Sequence, residues 1–172
     1  KQYPDALFVA PKNIIHKEIA EQLDAKVIGS LTGHLWEQID LLRYCKKTQK
    51  LLLCLGNTGP IFNKNKIITL HDIAYIKFQE SFSKSFSKFY QFFIPQIINS
   101  SKHILTVSNF SKSEIASYYK INPSKISVIY NAVEQKFQKL DRKISEKYIL
   151  SLSNINKQKN LISLIKAFQR LN

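Results

Sequence analysis

Short apolar runs alternate with amphipathic stretches along most of the chain. Residues 5–10 end in the run Ala6-Leu-Phe-Val-Ala10 and stop at Pro11, which predicts a short buried strand. Ile14, Ile15, Ile19 and Leu23 then recur at helical spacing, and 25–29 (Ala-Lys-Val-Ile-Gly) predicts a second strand. The stretch 35–44 reads as a helix with Leu35, Ile39 and Leu42 on one face. Residues 51–55 form an apolar strand closed by the turn signal Gly56-Asn-Thr-Gly-Pro60. The next strand, 67–70, is followed at once by His71-Asp72. A long helix is expected over 82–99, with Pro95 bending or interrupting it. Residues 103–108 predict a strand, and Ser111-Lys-Ser-Glu114 has the form of a capping box opening the helix after it. A further strand at 126–129 ends in Tyr130-Asn-Ala132. The chain turns polar and charged after Gln135, and a last strand (148–153) and helix (160–171) follow.

This alternation predicts an α/β fold, a Rossmann-like parallel sheet wrapped by helices on both faces. Leu161, Ile165, Phe168 and Leu171 lay an apolar stripe along the last helix. A lone strand and helix cannot bury both their faces, so this end is expected to begin a second domain that the sequence does not complete.

With 172 residues, 44% of them hydrophobic and 22% charged, the chain has a globular balance that excludes disorder as the default. No run of about eighteen apolar residues predicts a membrane-spanning helix. Lys and Arg number 26 against 12 for Asp and Glu, a net charge of +14. The charge is uneven: residues 77–172 hold 16 basic and 5 acidic side chains. Such a half attracts nucleic acid, anionic lipid or phosphorylated small molecules. Only Arg43, Arg142 and Arg170 are arginines, whereas base and phosphate readers lean on Arg forks. Met is absent, so the chain is expected to be processed or part of something longer. Cys45 and Cys54 lack the paired spacing of a zinc site and fit reduced, buried cysteines of a cytoplasmic protein.

In an open parallel sheet ligands sit at the carboxyl ends of the strands. Four polar clusters fall there: Asn57-Thr58-Gly59-Pro60, His71-Asp72, Ser108-Asn109-Phe110-Ser111 and the loop 154–160. His71 and Asp72 set an imidazole and a carboxylate at one mouth; alternatively Asp72 caps the next turn and His71 bonds backbone. No further ligand stands at metal-site spacing. Lys159 is expected at a helix start, where free amides and the helix dipole favour an anion; the alternative is a solvated loop lysine. Neither a P-loop nor Gly-x-Gly-x-x-Gly occurs, so ATP hydrolysis and dinucleotide binding lose their best support. Phe78, Phe82, Phe86, Phe89 and Phe93 recur every three or four residues among Lys77, Lys84 and Lys88. That stripe either packs on the sheet or lies on an anionic membrane surface.

In order and spacing, several segments resemble the retaining GT-B glycosyltransferases of family 4, especially bacterial sugar transferases of O-antigen or capsule assembly. They are Gly33-His-Leu-Trp-Glu-Gln38, Leu55-Gly-Asn-Thr-Gly-Pro60, Thr69-Leu-His-Asp72, Thr106-Val-Ser-Asn-Phe-Ser-Lys112, Ile126-Ser-Val-Ile-Tyr-Asn131 and Tyr148-Ile-Leu-Ser-Leu-Ser-Asn154, leading to Lys159-Asn160-Leu161. The resemblance implies two Rossmann-like domains across a cleft. Residues 1–138 would be the acceptor-side domain without its first strand and helix, 139–147 a linker, and 148–172 the start of the donor-side domain. It implies a nucleotide-sugar donor, GDP-mannose-like, and a glycan or lipid-linked glycan acceptor. The work would be done at the cytoplasmic membrane face, by front-face retaining substitution without metal or other cofactor, and with no nucleic acid partner.

His71 matches the family histidine that faces the transferred sugar, and Asp72 orients it or its loop. Lys159 matches the diphosphate lysine, beside Asn160. Gln158 stands where the family's usual Arg does, and Ser153 where it has Gly. Asn131-Ala-Val-Glu replaces the common Asn-Gly-Val-Asp. Ser108, Asn57, Thr58, Gly59 and Gly33 line the cleft by position. The family's donor-holding glutamate pair lies beyond Asn172, so residues 1–172 alone are expected to be inactive and the complete protein an enzyme. The rival readings are a non-catalytic basic domain binding nucleic acid or anionic membrane, and a vestigial transferase.

Overall fold

The computed structural model describes residues 5–133, 137 and 148–171, an α/β arrangement with two parallel sheets. β1 (Val9–Ala10) and β2 (Lys26–Val27) pair around helix α1 (Lys17–Gln22). A helical rod follows, made of the α-helical turn α2 (Gly33–Leu35), a π-helical stretch Trp36–Leu41 and α3 (Leu42–Thr48). The main sheet holds β3 (Leu52–Cys54), β4 (Lys66–Thr69), β5 (His103–Thr106) and β6 (Ile126–Val128), in that spatial order and all parallel. Helix α4 (Ala74–Lys77) and helix α5 (Lys84–Ser100) join β4 to β5, and α6 (Asn109–Tyr119) joins β5 to β6. Helix α7 (Leu161–Gln169) lies near the end of the chain.

Register explains the core. Cys54, Ile68, Ile104 and Ile126 are successive partners across the four strands, so their side chains form one row on one face. Ile94, Ile97 and Ile98 of α5 and Ile115 of α6 pack on that row and are essentially solvent-free. The opposite face is more open: Leu53 is 52% exposed, Ser127 is exposed, and Ile67 and Leu105 are half-buried. Helical cover expected on both faces is thus complete on one. A smaller cluster of Ile28, Leu41 and Cys45, with Val9, Trp36, Tyr44 and Leu52 against it, seats the rod on β1 and β3.

Three expectations are corrected. Helix α5 runs unbroken through Pro95; burial of Ile94, Ile97 and Ile98 outweighs the roughly 3 kcal/mol that an interior proline costs. The capping box at Ser111 and Glu114 does not open α6. Ser108 is the cap, its Oγ accepting from Ser111 N, while Glu114 lies inside the helix and pairs with Lys77. Residues 148–153 are irregular and exposed, because no neighbouring strand among the described residues offers their backbone a ladder. Of the two readings of the aromatic run, packing holds for most of it: Phe82 and Phe93 sit on the core, Phe86 stacks on Tyr90 at 4.2 Å, and Phe89 meets His34 at 4.6 Å. The expected linker 139–147 lies outside the described residues.

Candidate functional site

The rod organises the loops at the carboxyl ends of β2 and β3. A π-helix spaces its hydrogen bonds wider than an α-helix, and here three consecutive residues reach two different loops. Trp36 Nε1 donates to Ile28 O at 2.7 Å. Glu37 Oε2 accepts from Thr58 Oγ1 at 2.7 Å. Gln38 Nε2 donates to Gly59 O at 3.1 Å, and its Oε1 accepts from Ile61 N at 2.9 Å. One turn on, Asp40 Oδ2 accepts from Ser30 N and Leu31 N, both at 2.9 Å. Gly29 packs so closely beneath that carboxylate, at φ +72°, that a Cβ there would lie 2.1 Å from Asp40 Oδ2. Burial raises the Glu37 carboxyl above the usual range, against the Thr58 hydrogen bond and the nearby His34 ring, which pull it down.

The β3–β4 connection contains no helix, so the loop itself crosses the sheet. Gly59 lets it lie flat: a Cβ there would sit 2.9 Å from Cys54 Sγ. Asn57, from the same loop, reaches the end of the next strand, where its Oδ1 accepts from His71 N at 3.0 Å. The His71 ring is half-buried, with Nε2 3.3 Å from Leu55 O. Donation from Nε2 to that carbonyl leaves Nδ1 as the acceptor nitrogen. Thr106 Oγ1 donates to His71 O at 3.4 Å, so the ends of β3, β4 and β5 all hold this residue. Asp72 is exposed, and its Oδ1 accepts from Ala74 N at 2.8 Å in a turn just ahead of α4.

Beside Asp72 opens a cavity of about 350 Å³ lined by Asp72, Ile73, Ala74, Lys77, Phe78, Phe110, Ser111, Glu114 and Gln158. Lys77 Nζ and Glu114 Oε2 pair at 2.8 Å within it. Ser108 lies behind the wall, engaged with Ser111 Oγ at 3.0 Å. Gln158 arrives from the turn Lys157–Lys159, whose N-cap Asn156 accepts from Lys159 N at 3.0 Å. Lys159 and Asn160 face solvent.

The structure therefore gathers the sequence candidates into two groups. His71, Asn57, Thr58 and Gly59 form one unit tied to the rod that Gly33 opens, and Asp72 and Gln158 both line the cavity. Lys159 and Asn160 are exposed and line neither group. Phe110, Glu37 and Gln38 lay in segments the sequence singled out but were given no role, and Lys77 and Glu114 were not read as site residues at all. Glu37 and Gln38 directly follow the only Trp, and Glu114 had a competing capping role. Among the described residues no group of three or more His, Cys, Asp or Glu is placed to hold a metal ion.

Residues 50–137 match the family model Glycosyltransferase Family 4, a span that covers the whole main sheet, the β3–β4 loop and His71. Over 118 residues the chain is 35% identical to the O-antigen chain mannosyltransferase RfbU of Salmonella typhimurium, an alignment covering 69% of this chain and 32% of that protein. The chain thus spans about a third of the length of that relative. No solved structure matches it.

Proposed function

The chain belongs to glycosyltransferase family 4, and from that premise we propose that the complete protein moves a sugar, with retention, from a nucleotide-sugar to a growing bacterial surface glycan. A GDP-mannose-like donor is favoured by the mannosyltransferase relative. The acceptor is lipid-linked on this reading, and the protein works peripherally at the cytoplasmic face of the inner membrane. Residues 1–138 form the acceptor-side domain and 148–172 begin the donor side.

The observation that carries the reading is the family match falling on the strand ends that converge on His71. Retaining substitution on the donor's own face develops an oxocarbenium and a departing diphosphate. That chemistry asks for a rigidly placed group beside the sugar and for cations at the phosphates. His71 supplies the first, fixed by Asn57 and Leu55, and Lys159 the second.

The test is sugar transfer by the product of the complete open reading frame, with a panel of labelled GDP- and UDP-hexoses and a lipid-linked acceptor. His71→Ala is expected to lower kcat by about 100-fold or more, in the range of a lost transition-state contact. Absence of transfer from every donor, by folded protein, overturns the proposal.

A further inference from the structure

The cavity beside Asp72 has two aromatic walls that the chemistry at His71 does not use. Phe110, in the first turn of α6, is 76% exposed, and Phe78, which closes α4, is 39% exposed. Neither ring is needed by the core, and each leaves apolar surface facing water at the mouth of a pocket. Between these walls the Lys77–Glu114 pair bridges α4 to α6. Its position keeps a carboxylate oxygen and an ammonium at the pocket surface.

The lining charge is informative because it runs against the rest of the molecule. The chain carries +14 overall, yet among the described residues the pocket lining holds Asp72 and Glu114 against Lys77 alone. Its single cation is already paired at 2.8 Å. Among those residues a phosphate would meet two carboxylates and a single lysine already paired. A ligand with apolar C–H faces and many hydroxyls meets the opposite situation. Its faces lie on aromatic rings, and its hydroxyls donate to carboxylates and accept from the ammonium. A volume of about 350 Å³ is at the small end of ligand sites and suits one or two hexose rings.

We infer that this pocket is a subsite for a neutral pyranose residue of the acceptor glycan, stacked between Phe78 and Phe110 and held by Asp72, Lys77 and Glu114. The inference rests on the transferase reading for its place next to His71, but sugar binding is measurable without any transfer.

Saturation-transfer NMR on the 172-residue chain with neutral hexose disaccharides, in gluco and manno configuration, is the direct probe. Saturation is expected on the ring C–H protons, and unlabelled inorganic pyrophosphate should not displace the sugar. Phe110→Ala and the bulk-retaining Phe110→Leu should each weaken binding by about tenfold, with unchanged circular dichroism. Glu114→Gln should weaken it severalfold, and Phe62→Ala, on the β3–β4 loop, should not. No saturation by the folded chain, equal binding by the Phe110 variants, or displacement by pyrophosphate overturns the subsite. In the complete protein the two proposals separate. Transfer with an acceptor KM unmoved by Phe110→Leu sinks the subsite alone; disaccharide binding without transfer from any nucleotide-sugar sinks the transferase reading alone.

Discussion

At the foot of β4 the Lys66 side chain has no exposed surface, yet among the described residues no carboxylate forms an ion pair with it. Its ammonium donates to Asn63 O at 2.8 Å and Ser100 Oγ at 2.6 Å. Burial lowers it to about 8; Lys125 adds to the fall, while Cys54 and Glu37 oppose it. The sign of the linkage follows from proton binding. Between about 8 and the ordinary lysine value near 10.5, the unfolded chain holds a proton that the folded chain has lost. Raising the pH through that window therefore stabilises the fold, by about 2 kcal/mol between pH 8 and pH 10. Cys54, its thiol pushed up to about 12 mainly by burial, acts in the opposite sense above its ordinary value. The comparison is therefore the stability of wild type minus that of Lys66→Met, from urea unfolding at each pH. The difference should move toward wild type as pH rises. A flat difference would mean that the ammonium is solvated in the folded protein.

At the scale of elements, the rod acts as a clamp through Gln38, whose amide donates to Gly59 O and accepts from Ile61 N. Gln38→Ala leaves both loop groups without that partner and should cost about 1–3 kcal/mol in urea unfolding. In the complete protein kcat should fall more than the donor KM changes, because Asn57 on the same loop holds His71. Unchanged stability would show that the loop is held by its apolar contacts alone. Ser108→Ala should cost about 1 kcal/mol, the usual loss of an N-cap, whereas Glu114→Ala should not behave as a cap loss.

These elements also mark what could be read in advance. The strands were legible because their apolar runs are bounded by Pro11, Gly29, Gly56 and His71-Asp72. The rod was legible as a helix, but its π-stretch was not, since Leu35, Ile39 and Leu42 fit a 3.6-residue period equally well. Ser108 to Ser111 and Ser111 to Glu114 are overlapping frames for one cap; only the end of β5 at Thr106 selects the first. Within the site, Asn57 and His71 announced themselves as polar residues after apolar runs. Phe110 and Glu114 meet Lys77 and Phe78 only through tertiary packing of α6 on α4, which no local pattern carries.

At the scale of the whole molecule, the excess positive charge stands beside exposed apolar surface on α5, chiefly Phe92, with Phe86 38% exposed. Ser87, Ile94, Ile97 and Ile98 turn that helix toward the sheet. Lys84, Lys88 and Phe92 follow one another four residues apart on a single stripe; both lysines are exposed and Phe92 is 66% exposed. Because most of the other rings of the run are engaged in stacking, any membrane affinity of α5 would come mainly from charge and from Phe92. No helix among the described residues is long and apolar enough to cross a membrane, so any attachment by these elements is at the surface. Each lysine near an anionic surface contributes about 1 kcal/mol, and the attraction falls off within a Debye length. The chain should therefore float with phosphatidylglycerol-containing vesicles and stay behind with purely zwitterionic ones. Lys84→Glu combined with Lys88→Glu should weaken binding by roughly 30-fold or more, and added salt should mimic it. Phe92→Ala should weaken binding in a way that salt does not. Failure to float at any anionic content, or flotation indifferent to the double charge reversal, would remove α5 as a membrane-facing element.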